Sequence, residues 1–341
     1  MIPAILIFIV AVGALLVVMT AFFNAAKRTV GQVSSPARTT VLGGKYAFTP
    51  SGGVPMADCD YREDDISAVD TWTAIASREG SASGGMDVGG QGRKKLTSIT
   101  ISVAPILTKG TGVLTGAIAI RLSGTGMARG GNYKFLGPSA TVQVDTSENA
   151  ACCPVPSVTY HTDIDMKDGK MDIEALMTGD DLGTVTVNVT CSFADTGTPG
   201  GIVDCDVREG NATAVNTLTG MTTLGSDTPG NFNVPISDAN KLALVGVMQT
   251  PDPPTTLAEV QFSATFKLSG TGFNEGGTRR FGADGLAFGG DTAGSCMESH
   301  GPTFYPTDIP VKEGEIEAQF AMLGTDPGGT MGMMVLGYTR V

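Results

Sequence analysis

Apolar and polar residues alternate along most of the chain beyond residue 45. In LTSITISVAPI the apolar residues Ile99, Ile101 and Val103 are separated by hydroxyl-bearing residues, and VLTGAIAIRLSG, AEVQFSATFKLSG and TVTVNVTCSF show similar alternation. A period of two is typical of a strand that buries one face, because successive side chains point to opposite sides of the sheet. GEIEAQFAML and TMGMMVLGYTRV add strand-like runs near the C-terminus. We predict an all-β structure here, in which a short helix would fit only residues 61–76.

The first 26 residues follow a different pattern. No charged residue occurs from Met1 to Ala26, and no polar stripe interrupts the apolar run. As an α-helix rising about 1.5 Å per residue, the run is long enough to cross the hydrocarbon core of a bilayer. A secretory signal peptide would have a positive n-region and a shorter apolar core. We predict an N-terminal hydrophobic α-helix over residues 1–28 that spans a membrane or forms a filament core, followed by a polar tether over residues 29–45.

Residues 2–23 of this helix are predicted to contact membrane lipid. Lys27 and Arg28 follow at the predicted membrane interface, where each basic side chain gains about 1 kcal/mol from anionic headgroups. The predicted lipid-contacting side chains are Ile2, Ile5, Leu6, Phe8, Val10, Leu15, Leu16, Val18, Phe22 and Phe23.

Several peptides occur twice at a nearly constant separation. DCDYRE begins at position 58 and DCDVRE at position 204, which is 204 − 58 = 146 residues later, and RLSGTG returns as KLSGTG at the same offset. YHTDIDMKDG at position 160 returns as YPTDIPVKEG at position 305, which is 305 − 160 = 145 residues later. A period this long is that of a domain rather than of a solenoid repeat. We predict two tandem antiparallel β-sandwich domains, over residues 46–193 and 194–341, the second a duplicate of the first.

The six cysteines can be arranged by this repeat. Cys59 and Cys205 share the 146-residue offset, and Cys296 lies within two residues of the positions equivalent to Cys152 and Cys153. The repeat therefore predicts a Cys205–Cys296 disulfide and an equivalent bridge from Cys59 to Cys152 or Cys153. Cys191 would pair with whichever of those two remains. Such bridges imply an oxidising compartment or a thermophile's interior, and free buried thiols are the alternative.

Two sequons, at Asn188 and Asn211, are candidate N-glycosylation sites and favour an extracellular side. The formal net charge of −12 argues against contact with nucleic acid, which needs clustered Lys and Arg. The two histidines, His161 and His300, occupy unrelated places in the two repeats, and no nucleophile motif or zinc-spaced cysteine pair is present. We predict a protein that is not an enzyme and has no cofactor.

The repeated hexapeptide carries alternate carboxylates, which leaves one metal possibility open. Calcium takes six to eight oxygen ligands, and carboxylates at alternate positions of a loop can supply several. Arg62 and Arg208 lie inside the two hexapeptides, however, and the rest of a calcium loop is missing. We therefore favour an arginine–carboxylate clamp over calcium. The carboxylates are Asp58, Asp60 and Glu63 in the first repeat and Asp204, Asp206 and Glu209 in the second.

The apolar helix, the two tandem sandwiches and the repeated LSGTG, TDI and M-x-G-x-D-x-G stretches resemble the double jelly-roll major capsid proteins of tailless viruses with an internal membrane. This resemblance implies two eight-stranded jelly rolls and a chain that self-associates, as a trimer, into pseudo-hexagonal capsomers of a virion shell. It also implies a terminal segment that reaches the membrane under the shell.

The alternative is a pilin-like or archaellin-like subunit of an extracellular filament, with the N-terminal helix in the filament core. Such proteins also combine an apolar N-terminal helix with a β-rich, weakly charged head. Ile5 stands where bacterial pilins have a glutamate, and a duplicated head is unusual among them. A membrane-anchored surface-layer or adhesin module is a third possibility.

Overall fold

The computed structural model confirms the predicted all-β class. The described residues form 22 strands and no helix, and all lie in the compact unit Gly43–Val341. Residues 61–76, where a short helix was an option, form strand and turn instead. The residues that the structure describes are 45–47, 58–76, 85–107, 112–144, 149–150, 157–179, 181, 183–197, 200–225, 230–234, 241–251, 260–283, 286–288, 301–324 and 330–340.

Eleven strands from the first half of the chain make one sandwich, which we call the first sandwich. They are β1 (Lys45–Ala47), β2 (Asp58–Ile66), β3 (Thr73–Ala74), β4 (Met86–Val88), β5 (Lys95–Leu107), β6 (Gly112–Ser123), β7 (Tyr133–Val144), β8 (Asn149–Ala150), β9 (Ser157–Asp165), β10 (Gly169–Gly179) and β11 (Thr184–Ala194). Sheet 1A has the order β1-β9-β5-β11-β2, and sheet 1B has the order β3-β10-β6-β7-β8 with β4 also paired to β10.

Eleven further strands make the second sandwich. They are β12 (Asp204–Ala212), β13 (Thr219–Gly220), β14 (Thr222–Thr223), β15 (Phe232–Val234), β16 (Lys241–Pro251), β17 (Val260–Ser269), β18 (Arg279–Gly282), β19 (Leu286–Phe288), β20 (Thr303–Pro310), β21 (Gly314–Gly324) and β22 (Thr330–Thr339). Sheet 2A has the order β14-β12-β22-β16-β20. Sheet 2B has the order β13-β21-β17-β18, with β15 on β21 and β19 on β17.

Both sandwiches have the strand order of a jelly roll. In sheet 1A the first long strand, β2, pairs with the last, β11, and β5 lies between β11 and β9. Sheet 2A repeats this with β12, β22, β16 and β20. Neighbouring long strands in sheets 1A and 2A are therefore distant in sequence, as in a jelly roll built from two Greek keys. Apart from the parallel pair β1–β9, the strands of all four sheets pair antiparallel.

Equivalent peptides occupy equivalent strand positions. Asp58 is the first residue of β2 and lies opposite Phe193, and Asp204 is the first residue of β12 and lies opposite Tyr338. The long strand after each hexapeptide contains the same irregularity: the ladder of β5 shifts register just after Leu96, and that of β16 just after Leu242. A β-bulge of this kind fits one extra residue into a strand. The repeat thus preserves the bulge as well as the strands.

Two of the repeated peptides are explained by their backbone conformation. Gly124 and Gly270, from the two LSGTG stretches, have φ angles of 111° and 128°. A Cβ added at Gly124 would lie 2.5 Å from the carbonyl oxygen of Lys170, and one at Gly270 would lie 2.3 Å from that of Glu315. Only glycine fits a backbone that approaches so closely at a positive φ.

The peptides AVDT, at position 68, and AVNT, at position 214, share the 146-residue offset and form the second such pair. Asp70 and Asn216 have φ angles of 53° and 59°, in the left-handed region that Asp and Asn tolerate better than most residues. Their amides donate to the carbonyl oxygens of Met177 and Met322, respectively, at 2.8 Å. The retained Asp or Asn therefore serves a turn that ties the chain after the first long strand to the opposite sheet.

Candidate functional site

Sheet 2A is buried on both of its faces. In the β12–β22 ladder, Asp206 lies opposite Leu336, and Leu336 belongs to the core of the second sandwich. The next pair, Val207 and Val335, belongs to the core cluster of the first sandwich. Because side chains alternate along a strand, sheet 2A contributes one face to its own core and the other to a contact with the first sandwich.

The face that meets the first sandwich is apolar. The aromatic ring of Phe304 lies 5.4 Å from that of Tyr160 in an edge-to-face arrangement. Full burial of a side chain such as Val, Leu or Met contributes roughly 1.5–3 kcal/mol, so a contact of this size holds the two sandwiches together permanently. The buried residues of the second half in this cluster are Ile202, Cys205, Val207, Leu224, Leu244, Met248, Met331, Met333 and Val335.

Polar groups at the same contact are paired across it. The Lys134 ammonium lies 3.2 Å from Oδ1 of Asp206, and the Cys205 thiol donates to the carbonyl oxygen of Lys134 at 2.7 Å. The Thr178 hydroxyl donates to Oε2 of Glu209 at 2.9 Å. Buried polar groups are costly unless hydrogen-bonded, so these pairs fix the register of one sandwich on the other.

The carboxylates of the first hexapeptide are held by an arginine from outside it. Nε of Arg93 lies 2.6 Å from Oδ2 of Asp58, and Nη1 lies 3.5 Å from Oδ2 of Asp60. The hydrogen bond from Arg93 lowers the pKa of Asp58. Arg62, inside the hexapeptide, lies farther away, at 4.0 Å from Asp60. The predicted clamp is therefore present, but its principal arginine was missed, because it comes from the strand connection before β5.

In the second hexapeptide, the arginine that pairs with the carboxylate is Arg208, from the hexapeptide itself. Nη1 of Arg208 lies 2.6 Å from Oδ2 of Asp206, and the buried guanidinium also donates to the carbonyl oxygens of Gly230 and Asn231 at 3.0 and 2.7 Å. The guanidinium carbon sits 4.7 Å from the centroid of the Phe232 ring. In each hexapeptide an arginine pairs with carboxylates that calcium would need, namely Asp58 and Asp60 in the first and Asp206 in the second. Within the described ranges, no group of three His, Cys, Asp or Glu residues is arranged to hold a metal ion.

The disulfide prediction is not supported. Cys59, Cys191 and Cys205 are free thiols, and the proposed partners Cys152, Cys153 and Cys296 lie outside the described residues. Cys205 faces the first sandwich, where its thiol donates to Lys134 instead of meeting another sulfur. Cys191 is buried in sheet 1A, opposite Asp60, and burial raises the pKa of its thiol to about 12. The 146-residue offset correctly predicted that Cys59 and Cys205 lie on equivalent strands, β2 and β12. It could not predict which groups lie against each thiol.

Asp204 lies at the edge of the contact in an unusual environment. Burial, and then repulsion from Asp206, raises the pKa of Asp204 to about 7, against a hydrogen bond from the Cys205 amide. The hydroxyl of Tyr338, on the opposite strand, has no hydrogen-bond partner among the described residues. Burial, and then the charge of Asp204, raises the pKa of Tyr133 on the first sandwich to about 12. Deprotonation of Asp204 therefore places a buried negative charge beside Asp206, which the Cys205 amide and Arg129 offset only in part.

The segment that connects the two sandwiches is also fixed to the first one. Ile202 pairs in parallel with Thr162 of β9, its amide donating to His161 at 3.1 Å and its carbonyl oxygen accepting from Asp163 at 2.8 Å. The guanidinium of Arg340, near the C-terminus, lies 2.8 Å from Oδ2 of Asp165. Both ends of the second sandwich are thereby tied to one edge of sheet 1A.

The remaining predicted site residues are dispersed. Asn188 lies in the middle of β11, where it accepts a hydrogen bond from the Tyr61 hydroxyl, and Asn211 is exposed near the end of β12. His161 lies on β9, and burial lowers its pKa. The predicted membrane segment, residues 2–23, and the interface residues Lys27 and Arg28 lie outside the described residues. Within the described part of the chain, no helix has the length and apolar character needed to cross a bilayer.

Sequence reasoning missed the inter-sandwich face, although a signal for it exists. The last strand of the first sandwich reads TVTVNVTCSF, with polar residues at every second position, whereas its counterpart reads TMGMMVLGYT and is almost continuously apolar. A strand that is apolar at both parities is buried on both faces. The contrast between the two equivalent strands predicts which sheet is covered.

Searches against known proteins return structural likenesses only. The chain aligns with the STIV MCP, a viral major capsid protein, at 9% identity and a TM-score of 0.34, covering 82% of this chain and 97% of that one. It aligns with PNGF-II at 10% identity and a TM-score of 0.33, covering 79% of this chain and 59% of that one. An infectious bursal disease virus structure aligns at 11% identity and a TM-score of 0.18, covering 86% and 78%. No protein-family description and no curated protein matches this sequence.

Proposed function

We propose that this protein is the self-assembling major capsid protein of a membrane-containing virus. The observation that carries the proposal is the face-to-face stacking of two jelly rolls through an apolar sheet face, in which the described residues leave the matching face of the first sandwich uncovered. Residues 46–193 and 194–341 are the two tandem domains of this building block. A rigid pair of like domains is a unit for tiling a surface, and the site described above offers packing and salt bridges rather than catalytic groups.

The proposed oligomer is a trimer. The contact inside the chain joins two different faces of like sandwiches, so it is a head-to-tail contact. Contacts of that kind close into rings when their rotation permits and otherwise extend into filaments. Three chains with two sandwiches each would give a ring of six similar units, which matches hexagonal packing on a shell.

The proposed role of residues 2–23 is to anchor the shell to the membrane beneath it. Their apolar length matches a bilayer, and Lys27 and Arg28 follow at the position of the headgroups. Residues 29–45 would cross the gap between the membrane and the first sandwich.

The proposal is tested on native assemblies that contain this chain, by cryo-electron microscopy and lipid phosphate analysis. We expect closed shells that enclose lipid, with residues 2–23 labelled by a photoactivatable phospholipid. Lipid-free rods with helical symmetry would reject the capsid proposal and favour the filament subunit, in which the N-terminal helices pack in the filament core. A chain that stays monomeric at all concentrations would reject both.

A further inference from the structure

The contact between the two sandwiches has an unused counterpart. Inside the chain, Lys134 on β7 meets the β12 residues Cys205 and Asp206, through the 2.7 Å hydrogen bond from the Cys205 thiol and the 3.2 Å ion pair with Asp206. Each sandwich has one face like that of β7 and one like that of β12. The contact inside the chain uses the β7-like face of the first sandwich and the β12-like face of the second. The other two faces take no part in it: the outer face of sheet 1A, which is β12-like, and the outer face of sheet 2B, which is β7-like.

The residue equivalent to Lys134 is Arg280. Lys134 lies opposite Arg121 in the β6–β7 ladder, and Arg280 lies opposite Lys267 in the β17–β18 ladder. Arg121 and Lys267 begin the two matching LSGTG peptides, so the positions correspond through the strand register as well as the 280 − 134 = 146 residue offset. Both side chains are cationic. Arg280 is exposed.

The residues equivalent to Cys205 and Asp206 are Cys59 and Asp60. Asp60 lies opposite Cys191 and Asp206 opposite Leu336, which again correspond between the repeats. Cys205 is fully buried under the first sandwich, whereas Cys59, at the same strand position, is exposed. The difference arises because Cys205 has a sandwich stacked against it, whereas no sandwich of the described residues is stacked against Cys59.

The open faces are complementary in charge. On the face of Cys59 the strand β2 carries Glu63 and Asp65, with Asp60 at the position equivalent to Asp206, and on the open face of sheet 2B Arg280 lies opposite Lys267. Complementary charge guides two surfaces together and sets their register. Acidic side chains on one open face and basic side chains on the other favour association of unlike faces over association of like faces.

The open face of sheet 1A is also more polar than its internal counterpart. Asn188, Thr190 and Ser102 stand where sheet 2A has Met333, Val335 and Met248. A permanent contact inside a chain can be apolar, but a face that is exposed to solvent before assembly must stay soluble. Hydroxyl and amide groups on this face suit a contact that forms between separately folded chains.

We propose that the open faces meet between chains, with Arg280 of one chain against Asp60 and Cys59 of the next. This inter-chain contact repeats, head to tail, the Lys134–Asp206–Cys205 contact inside each chain. The proposal rests on the proposed function only in requiring that the chain self-associates, and it specifies the surface and residues through which it does so.

Engineered cysteines provide the first test. The variant Arg280→Cys, mixed with itself under mild oxidation, is expected to form covalent chain-to-chain links through the native Cys59 on non-reducing gels. Adding Cys59→Ser should abolish these links. The matched control is Lys134→Cys, which the same geometry should link to Cys205 within one chain, detected by peptide mapping without any increase in mass.

Charge exchange provides a second test that does not depend on disulfide geometry. Arg280→Glu alone should weaken association about tenfold, as measured by analytical ultracentrifugation, and Asp60→Arg should do likewise. The double variant is expected to recover most of the lost affinity. Circular dichroism of each variant confirms that the sandwiches fold, because Asp60 also contacts Arg93.

The outcomes separate this inference from the capsid proposal. Shells that assemble without any link between Cys59 and Arg280→Cys, and without a charge effect, would overturn the inference and leave the capsid standing. Links through Cys59 in lipid-free rods would support the contact and reject the capsid. Chains that neither associate nor link would overturn both.

Discussion

The hydroxyl of Thr162 donates a hydrogen bond to the carbonyl oxygen of Leu96 at 2.6 Å, and Thr307 does the same for Leu242, also at 2.6 Å. Leu96 and Leu242 are the residues at which the two ladders shift register. A bulge leaves one strand residue out of the ladder, so a carbonyl there needs another donor. The threonine of the repeated TDI peptide supplies it, which explains why that peptide occurs in both halves.

Replacing Thr162 by valine is therefore expected to lower the free energy of unfolding by about 1–3 kcal/mol, because the buried Leu96 carbonyl loses its donor. Thr307→Val should cost less, since Thr307 is only partly buried. Urea denaturation measures both. Thr186→Val, which removes an exposed hydrogen bond to Asp65, is the control and should change stability by no more than about 0.5 kcal/mol. Equal small effects at all three positions would contradict the role assigned to the bulge.

The second prediction concerns pH and Asp204. Its pKa is raised from the ordinary aspartate value of 3.8 to about 7 in the folded protein, so the folded state binds the proton more tightly than the unfolded state. This contribution to stability is fully present below about pH 4 and is lost progressively as the pH rises to about 7. Asp204→Asn does not titrate and should escape this loss, so the variant is expected to become increasingly more stable than wild type between those pH values, by at most about 4 kcal/mol.

Asp165 provides the contrasting pH window for the same measurement. Burial raises its pKa, but hydrogen bonds from Arg340 and Lys95 outweigh that and lower the pKa to about 2. Its contribution is present above about pH 4 and is lost as the pH falls through 2. Unfolding curves from pH 2 to pH 8 therefore separate the two carboxylates. A constant stability difference between Asp204→Asn and wild type from pH 4 to pH 7 would show that Asp204 titrates normally.

The third prediction compares the two hexapeptide arginines. Arg208→Met removes the buried partner of Asp206 and the donor to two backbone carbonyls, so we expect a loss of roughly 3–5 kcal/mol in unfolding free energy. Arg62→Met should cost about 1 kcal/mol or less, because Arg93 already holds Asp58 and Asp60. Calorimetric melting of the two variants checks this. Similar losses at both positions would mean that Arg62 and Arg208 contribute equally to stability, contrary to this expectation.

The fourth prediction concerns thiol reactivity. Iodoacetamide applied to the folded protein, followed by peptide mass spectrometry, should label the exposed Cys59 and leave Cys191 and Cys205 unmodified. Both are buried, and a pKa near 12 leaves Cys191 with very little thiolate at neutral pH. Unfolding in urea should make both reactive. If Cys205 resists alkylation in urea until a reductant is added, Cys205 is in a disulfide after all, as the predicted bridge to Cys296 requires.

The sequence by itself determined the fold class of this protein. Alternation with a period of two predicts strands because that period is local to each strand, and the 146-residue offset aligned Asp58 with Asp204 because equivalent bulges and turns need the same residues. The Arg208–Asp206 pair of the second hexapeptide followed from opposite charges placed close together in sequence. Each of these properties depends on neighbours along the chain or on comparison of the chain with itself.

Only the tertiary structure decided what covers each face. Cys59 and Cys205 have nearly the same sequence context and the same strand position, yet one is exposed and the other is buried under a second sandwich. Arg93 reaches Asp58 across 93 − 58 = 35 residues, and Lys134 reaches Asp206 across 206 − 134 = 72 residues. Strand periodicity fixes which side of a sheet a side chain occupies, but the group it meets there is set by the packing of whole sheets, which local sequence does not encode.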